Sequence, residues 1–293
     1  MNAPISTPGV ATGLAAPAVP RTAGLATIFA KELRDAVRSR WLVAFAATFA
    51  LVAVGLALVQ QEGGVASQGF NRTTASLINL CLLLVPLLAL ILGAGAIAGE
   101  RDRGTLGVLL AQPLTATELL LGKYLGLTAA VWAAVMLGFG AAGLLIALVS
   151  PVTDFGHYLL FVVLSASLAS AMLSIGVLIS VVSDGRSKAL ALAVVTWFVL
   201  VLFYNLVGIG MALSVASSGE TLLLSTLLNP VEAVRILAIL SLEPDLHVLG
   251  PLGAYMHVRF GAATSAVVLT AAVLAWAVLP LVAANAIFRR QDA

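Results

Sequence analysis

Gly99-Glu100-Arg101-Asp102-Arg103-Gly104-Thr105-Leu106 decides how the rest of the chain is read. Four charges stand there in consecutive positions, in a chain with only 10% charged residues. The run before it, residues 77–98, carries no charge, and neither does the run after it, residues 124–149. Charges packed this densely are too costly to leave in lipid, so the stretch marks a membrane surface between two crossings. Its continuation, with Leu106, Val108, Leu109 and Leu110, is apolar. Two readings fit: a surface helix that docks on another protein, or a solvated loop whose charges set the topology.

The chain has 293 residues, of which 61% are hydrophobic, and its mean hydropathy is +1.10. A soluble domain of this composition would have an apolar surface. The composition therefore predicts an all-α integral membrane protein, because a lipid-exposed backbone must satisfy its own hydrogen bonds. Six uncharged apolar stretches follow one another, at residues 41–59, 77–98, 124–149, 157–182, 189–213 and 264–288. Each is near or above the ~20 residues that cross a bilayer as a helix. Pro86 and Pro280 fall inside two of them, and helix bundles tolerate such kinks. Of the 15 Lys and Arg residues, only Arg72, Arg235 and Arg259 fall on the side opposite the N-terminus. The positive-inside rule then places both termini and the Glu100 stretch in the cytoplasm. The net charge of +2 is spread along membrane flanks, which gives no footprint for nucleic acid.

Residues 1–24 read as a disordered tail, and residues 41–290 as the six-span domain. Between them, residues 25–40 read as an amphipathic helix. Leu25, Ile28, Phe29, Leu33, Ala36 and Val37 share one stripe, with Lys31, Glu32, Arg34, Asp35, Arg38 and Arg40 opposite. Such a helix lies in the interface plane, either as an elbow that also touches a cytoplasmic partner or as an anchor alone. The external segment 214–263 is expected to hold two short helices, 221–228 and 231–242, broken at Asn229-Pro230, with Pro230 starting the second and Asn229 capping it. They would lie on the outer leaflet or dip into it, with Glu232 and Arg235 paired.

Several chemistries lack their residues. Gly122-Lys123 has neither the upstream glycine nor the following Ser or Thr of a phosphate-binding loop, so the chain alone is not expected to hydrolyse ATP. The spans carry no Asp, Glu, Lys or Arg, which argues against coupling to ions. Cys81, Met136, Met172 and Met211 fall in four different spans. They suit plain packing better than a Cu(I) path. His247 and His257 stand ten residues apart with nothing to fix them together, so no metal site is expected. Gly95 with Gly99, and Gly122 with Gly126, allow close helix approach, within the chain or at a dimer seam.

One series of residues resembles the ABC-2 class of ABC transporter permeases. It runs through Gly99-Glu100, Gly104-Thr105-Leu106, Leu109-Leu110, Gln112-Pro113 and Gly122-Lys123, with Lys31-Glu32-Leu33 upstream. The external Asn229-Pro230-Val231-Glu232-Ala233-Val234-Arg235 is most similar to the NosY branch, the membrane subunit of the complex that matures the copper sites of nitrous oxide reductase. The resemblance implies a six-span permease like that of type V ABC exporters, lying in the bacterial inner membrane. It implies a homodimer docked on separate ATPase chains, which bind the ATP and Mg; this chain would be non-catalytic and bind no cofactor. Residues 99–123 would be the coupling segment, with Glu100, Arg101, Asp102, Arg103, Gly104, Thr105, Leu109, Pro113 and Lys123 serving the ATPase and Lys31, Glu32, Arg34 and Arg38 close to it. Asn229, Pro230, Glu232 and Arg235 would face a periplasmic copper-handling or accessory protein. Scarce copper ligands favour a permease that transmits motion outward, or moves a sulfur species, over one that carries copper. A general ABC-2 exporter of a lipid, drug or glycan, and a membrane scaffold without transport, are the rival readings.

Overall fold

Apolar runs flanked by charge fold as helices whose lengths follow the bilayer. The computed structural model describes residues 21–61, 69–112, 114–149, 155–206, 218–242 and 250–291, and the secondary structure among them is helical. Helix α1 is Arg21–Val37 and α2 is Arg40–Gln61. Helix α3, Gly69–Gly95, is followed by two short helices, α4 (Ala98–Asp102) and α5 (Leu106–Leu110). The long helices α6 (Ala116–Val149) and α7 (Phe155–Val182) come next. Helix α8, Arg186–Trp197, continues into a π-helical turn at Phe198–Phe203. Then come α9 (Gly219–Leu227), α10 (Pro230–Leu242), α11 (Gly250–Arg259) and α12 (Gly261–Gln291).

Five of these helices are long and apolar enough to cross a membrane: α3, α6, α7, α8 with its π turn, and α12. A sixth crossing is counted if α9 and α10, bent by 113° at Asn229, form one broken span. Helix α2 has 22 residues, but its described apolar stretch is the shorter Leu42–Val52. The amphipathic helix starts earlier than the expected residue 25 and ends at Val37, because Arg38 and Ser39 break it before α2. Of the expected N-terminal tail, only residues 21–24 are described, and they are helical.

Helix α7 is the centre of the bundle. Two-thirds of its span (67%) is buried, against 17% for α8 and for α12, whose apolar faces point outward. It meets α3 where Gly93 and Gly176 let the backbones touch. A Cβ on Gly93 would lie 2.6 Å from the Leu173 carbonyl oxygen. Gly122 and Gly126 form a groove on α6 that receives α1. A Cβ at either would stand 2.7 Å from Ile28 or Glu32. The apolar stripe of α1 is thus covered by protein at Ile28 and Ala36, while Val37 is exposed.

The α9–α10 pair is packed into the helix bundle. Trp276 Nε1 donates to the Leu227 carbonyl at 3.0 Å, and Asn229 Nδ2 donates to the Leu200 carbonyl at 2.7 Å. Trp276 is 15 residues into α12 and Leu200 is 14 residues beyond the start of α8. At 1.5 Å per residue each lies roughly 21–23 Å along its helix. The Asn229–Pro230 tip therefore sits near mid-bundle, in a hairpin whose second helix packs against α12 and α7.

Candidate functional site

The chain turns sharply after Gly95, which exposes backbone N–H groups that need acceptors. Ser180 of α7, fully buried, supplies one: its hydroxyl oxygen accepts from Ile97 N at 2.9 Å and Ala98 N at 2.8 Å. Helix α4 starts there and stops at Gly104, whose φ of +70° suits glycine. Thr105 then starts α5. This fold of the backbone turns Glu100 towards α6, with Arg103 beside it, and Arg101 and Asp102 towards the 183–186 turn.

Glu100 points inward and is 7% exposed. Its Oε1 lies 3.3 Å from Lys123 Nζ and 3.2 Å from Arg103 Nη2, and the Thr105 hydroxyl donates to its other oxygen. Burial pushes the Glu100 carboxyl up. The Thr105 hydrogen bond and the charges of Lys123 and Arg103 outweigh that, and it ends below its ordinary value. Lys123, 3% exposed, also reaches Glu32 of α1 at 2.5 Å. One ammonium thus ties α1, α4 and α6 together. Arg101 donates to the Ser183 carbonyl, in the turn between α7 and α8, and at 3.1 Å to Gln291 Oε1, the last residue of α12. The Asp102 carboxylate accepts from Arg186 N at 2.9 Å, which caps the start of α8.

The α4 segment is therefore bonded directly to α6, α7, α8 and α12, and to α1 through Lys123. These contacts also place α1, the 183–186 turn and the end of α12 at one end of the bundle. What remains outward is α5, where Val108 is 66% exposed beside the partly buried Leu106 and Leu109. Lys31, Arg34 and Arg38 stay exposed on α1 and its flank, and Lys31 pairs with Asp35 at 3.8 Å. Glu32, expected beside them, is turned into the protein by Lys123. Pro113 lies outside the described residues. Beneath this end, a cleft of about 560 Å³ opens between α1, α3, α6 and α8.

Two features escaped sequence reasoning. Helix α6 starts at Ala116, eight residues before the expected residue 124. A reciprocal cap starts it: Glu118 Oε2 accepts from Thr115 N at 2.8 Å while Thr115 Oγ1 accepts from Glu118 N at 3.2 Å. The Thr-x-x-Glu spacing was the available signal. The Glu32–Lys123 pair had none, since 91 residues separate its members.

The other expected face is largely interior. Asn229 is 1% exposed, and Pro230 is buried beside it. Asn229 Oδ1 accepts from Val231 N at 2.9 Å, so its polar groups are used within the chain. Glu232 and Arg235 pair at 3.0 Å with about a quarter of each side chain exposed, and Arg235 also donates to Asn205. Among the described residues, no three of His, Cys, Asp and Glu come together as metal ligands. Cys81 and Met172 are buried, Met136 is half exposed, and Met211 and His247 lie outside the described residues.

The family model for ABC-2 family transporter proteins matches residues 26–293. A protein of Stutzerimonas stutzeri with the name "Probable ABC transporter permease protein NosY" is 37% identical over 273 residues, 89% of this chain and 96% of that one. Its namesake in Pseudomonas aeruginosa is 34% identical over 275 residues, 90% of this chain and 98% of that one.

Proposed function

The chain belongs to the ABC-2 family of transporter permeases, and from that premise we propose that it is the membrane subunit of an ABC complex whose ATP is hydrolysed by a separate chain. It is a multi-pass protein of the bacterial inner membrane. In this reading an ATPase binds ATP and Mg, docks on the exposed face of α5 near Val108, and pushes on α4. The observation that carries the reading is the way Glu100, Arg101 and Asp102, with the Ile97 and Ala98 N–H groups on Ser180, join α4 to α6, α7, α8 and α12. A displacement of α4 then shifts several packed helices together, as in hinge and shear motions. Six crossings follow if α2 spans with the five apolar helices and the α9–α10 hairpin enters from outside. Both chain ends are then cytoplasmic.

The reading extends to copper-site maturation of nitrous oxide reductase, supported by the two NosY relatives. Two copies form the complex. A periplasmic copper-handling partner meets its outer end, where Val258 is 87% exposed, rather than the buried Asn229. The test is purification of the tagged chain from its native membrane in gentle detergent, with partners identified by mass spectrometry. An ATPase should co-purify with the natural chain and be lost from Val108→Glu. A preparation without any ATPase overturns the proposal. An ATPase without a periplasmic copper-handling protein removes the copper role alone.

A further inference from the structure

The cleft under α4 is divided in the way a membrane lipid is. Ile91, Leu92, Leu190 and Val194 line one part, and Glu32, Glu100, Arg103, Lys123 and Arg186 line the other. The division coincides with the end of the apolar part of α3: its membrane window closes at Gly95, and the charges start at Glu100. That is the depth at which acyl chains meet headgroups.

Among the residues that line the cleft, cations outnumber carboxylates. Three cations and two carboxylates line it, and both carboxylates are engaged by Lys123, while Asp102, outside the lining, is spent on the backbone N of Arg186. Arg186 is exposed and has no ion-pair partner among the described residues, while its Cδ lies against Gly99. Arg103 holds Glu100 with part of its guanidinium and is otherwise open to solvent. The wall between the halves is bare, for a Cβ on Gly95 would meet nothing within 4 Å. A volume of about 560 Å³ is within the ordinary range for a bound small molecule, ~300–1,000 Å³.

We propose that this cleft holds an anionic phospholipid of the cytoplasmic leaflet. Its phosphate sits between Arg186 and Arg103, and its first acyl carbons lie along Ile91, Leu190 and Val194. Basic pockets between helices on the cytoplasmic side recognise such headgroups, and a guanidinium meets phosphate with paired donors. A soluble anion would leave the apolar half empty, and a zwitterionic lipid would bring its ammonium up beside Arg103, Lys123 and Arg186, with both lining carboxylates already held by Lys123. The bound lipid would wedge α1 against α8 beside the segment that moves. The inference rests on the cytoplasmic placement of this end and goes beyond the permease reading.

The full chain, with whatever ATPase accompanies it, is reconstituted into vesicles of phosphatidylethanolamine and phosphatidylglycerol, re-extracted gently and weighed by native mass spectrometry. The natural chain should retain phosphatidylglycerol in preference to phosphatidylethanolamine. Arg186→Gln should lower that retention roughly tenfold, the effect of losing one charge-assisted hydrogen bond. Gly95→Leu should abolish it by filling the cleft, and Arg34→Gln on exposed α1 should leave it unchanged. Equal retention of the two lipids, or undiminished retention in Gly95→Leu, overturns the proposal. So does a disulfide-linked dimer formed by Val194→Cys in a Cys81→Ser background, which would put a second copy over the cleft. Loss of the ATPase from the preparation would count against the ABC reading but leave lipid retention measurable, so the two ideas fail separately.

Discussion

Replacing Lys123 with methionine withdraws the ammonium that stands 2.5 Å from Glu32 and 3.3 Å from Glu100. The packing changes little, because methionine is similarly long and flexible. The electrostatics change a great deal, because the two carboxylate side chains are only 12% and 10% exposed. Breaking a buried pair by removing one partner costs about 3–5 kcal/mol, since it leaves an uncompensated charge. Glu100 keeps Arg103 and Thr105, and Glu32 keeps a 3.7 Å contact to the half-exposed Lys31. The lower end, about 3 kcal/mol, is therefore expected. At roughly 2–4 °C per kcal/mol that lowers the apparent Tm by about 6–12 °C. The assay is the melting of purified protein in detergent, followed by the loss of the monodisperse peak on size exclusion. The double variant Glu32→Gln with Lys123→Met should regain most of the loss, because a glutamine there carries no charge and Glu100 retains its arginine. A single-variant loss below about 1 kcal/mol, or a double variant no better than the single, would refute the reasoning.

Three further outcomes are expected. Gly93→Ala should lower the yield of folded protein sharply, since its Cβ would lie 2.6 Å from a backbone oxygen and 2.9 Å from Gly176 Cα. Gly95→Ala should fold normally, and an equal yield from the two variants would count against the α3–α7 crossing. Asn229→Ala loses the cap on Val231 and leaves the Leu200 carbonyl unmet. It should cost about 1–3 kcal/mol, seen as faster hydrogen exchange in α9 and α10. The Glu100 carboxyl lies below its ordinary value, so its contribution to stability is complete above the normal glutamate range of ~4.3 and is lost as pH falls beneath that. Thr105→Val removes a hydrogen bond to the charged form and should move this loss to higher pH, measured as apparent Tm against pH.

The spans were legible because hydrophobic length is a local property that lipid enforces. Residues 77–98 and 157–182 fall close to α3 and α7 for that reason. The break at Asn229-Pro230 was legible as well, since capping and proline geometry are local. Its seat within the bundle was not, because that is set by bonds to Leu200 and Trp276, which are distant in sequence. The charge cluster showed where a surface begins but not which charges face inward. Glu100 and Lys123 look like their neighbours in sequence, and only the placing of α4 and α1 against α6 shows that they bury each other. The π turn at Phe198–Phe203 had no signal at all, for six apolar residues read equally well as α-helix.

The Glu32–Lys123 contact also constrains how the protein is made. Glu32 emerges from the ribosome 91 residues before its partner. At ~5–20 residues per second that is a wait of about 5–18 s. During that interval a carboxylate destined for the interior has to stay hydrated, because the α6 groove that buries it does not yet exist. Helix α1 is thus made well before it can be seated, and a stalled or truncated chain ending before residue 123 would leave its docking groove unmade.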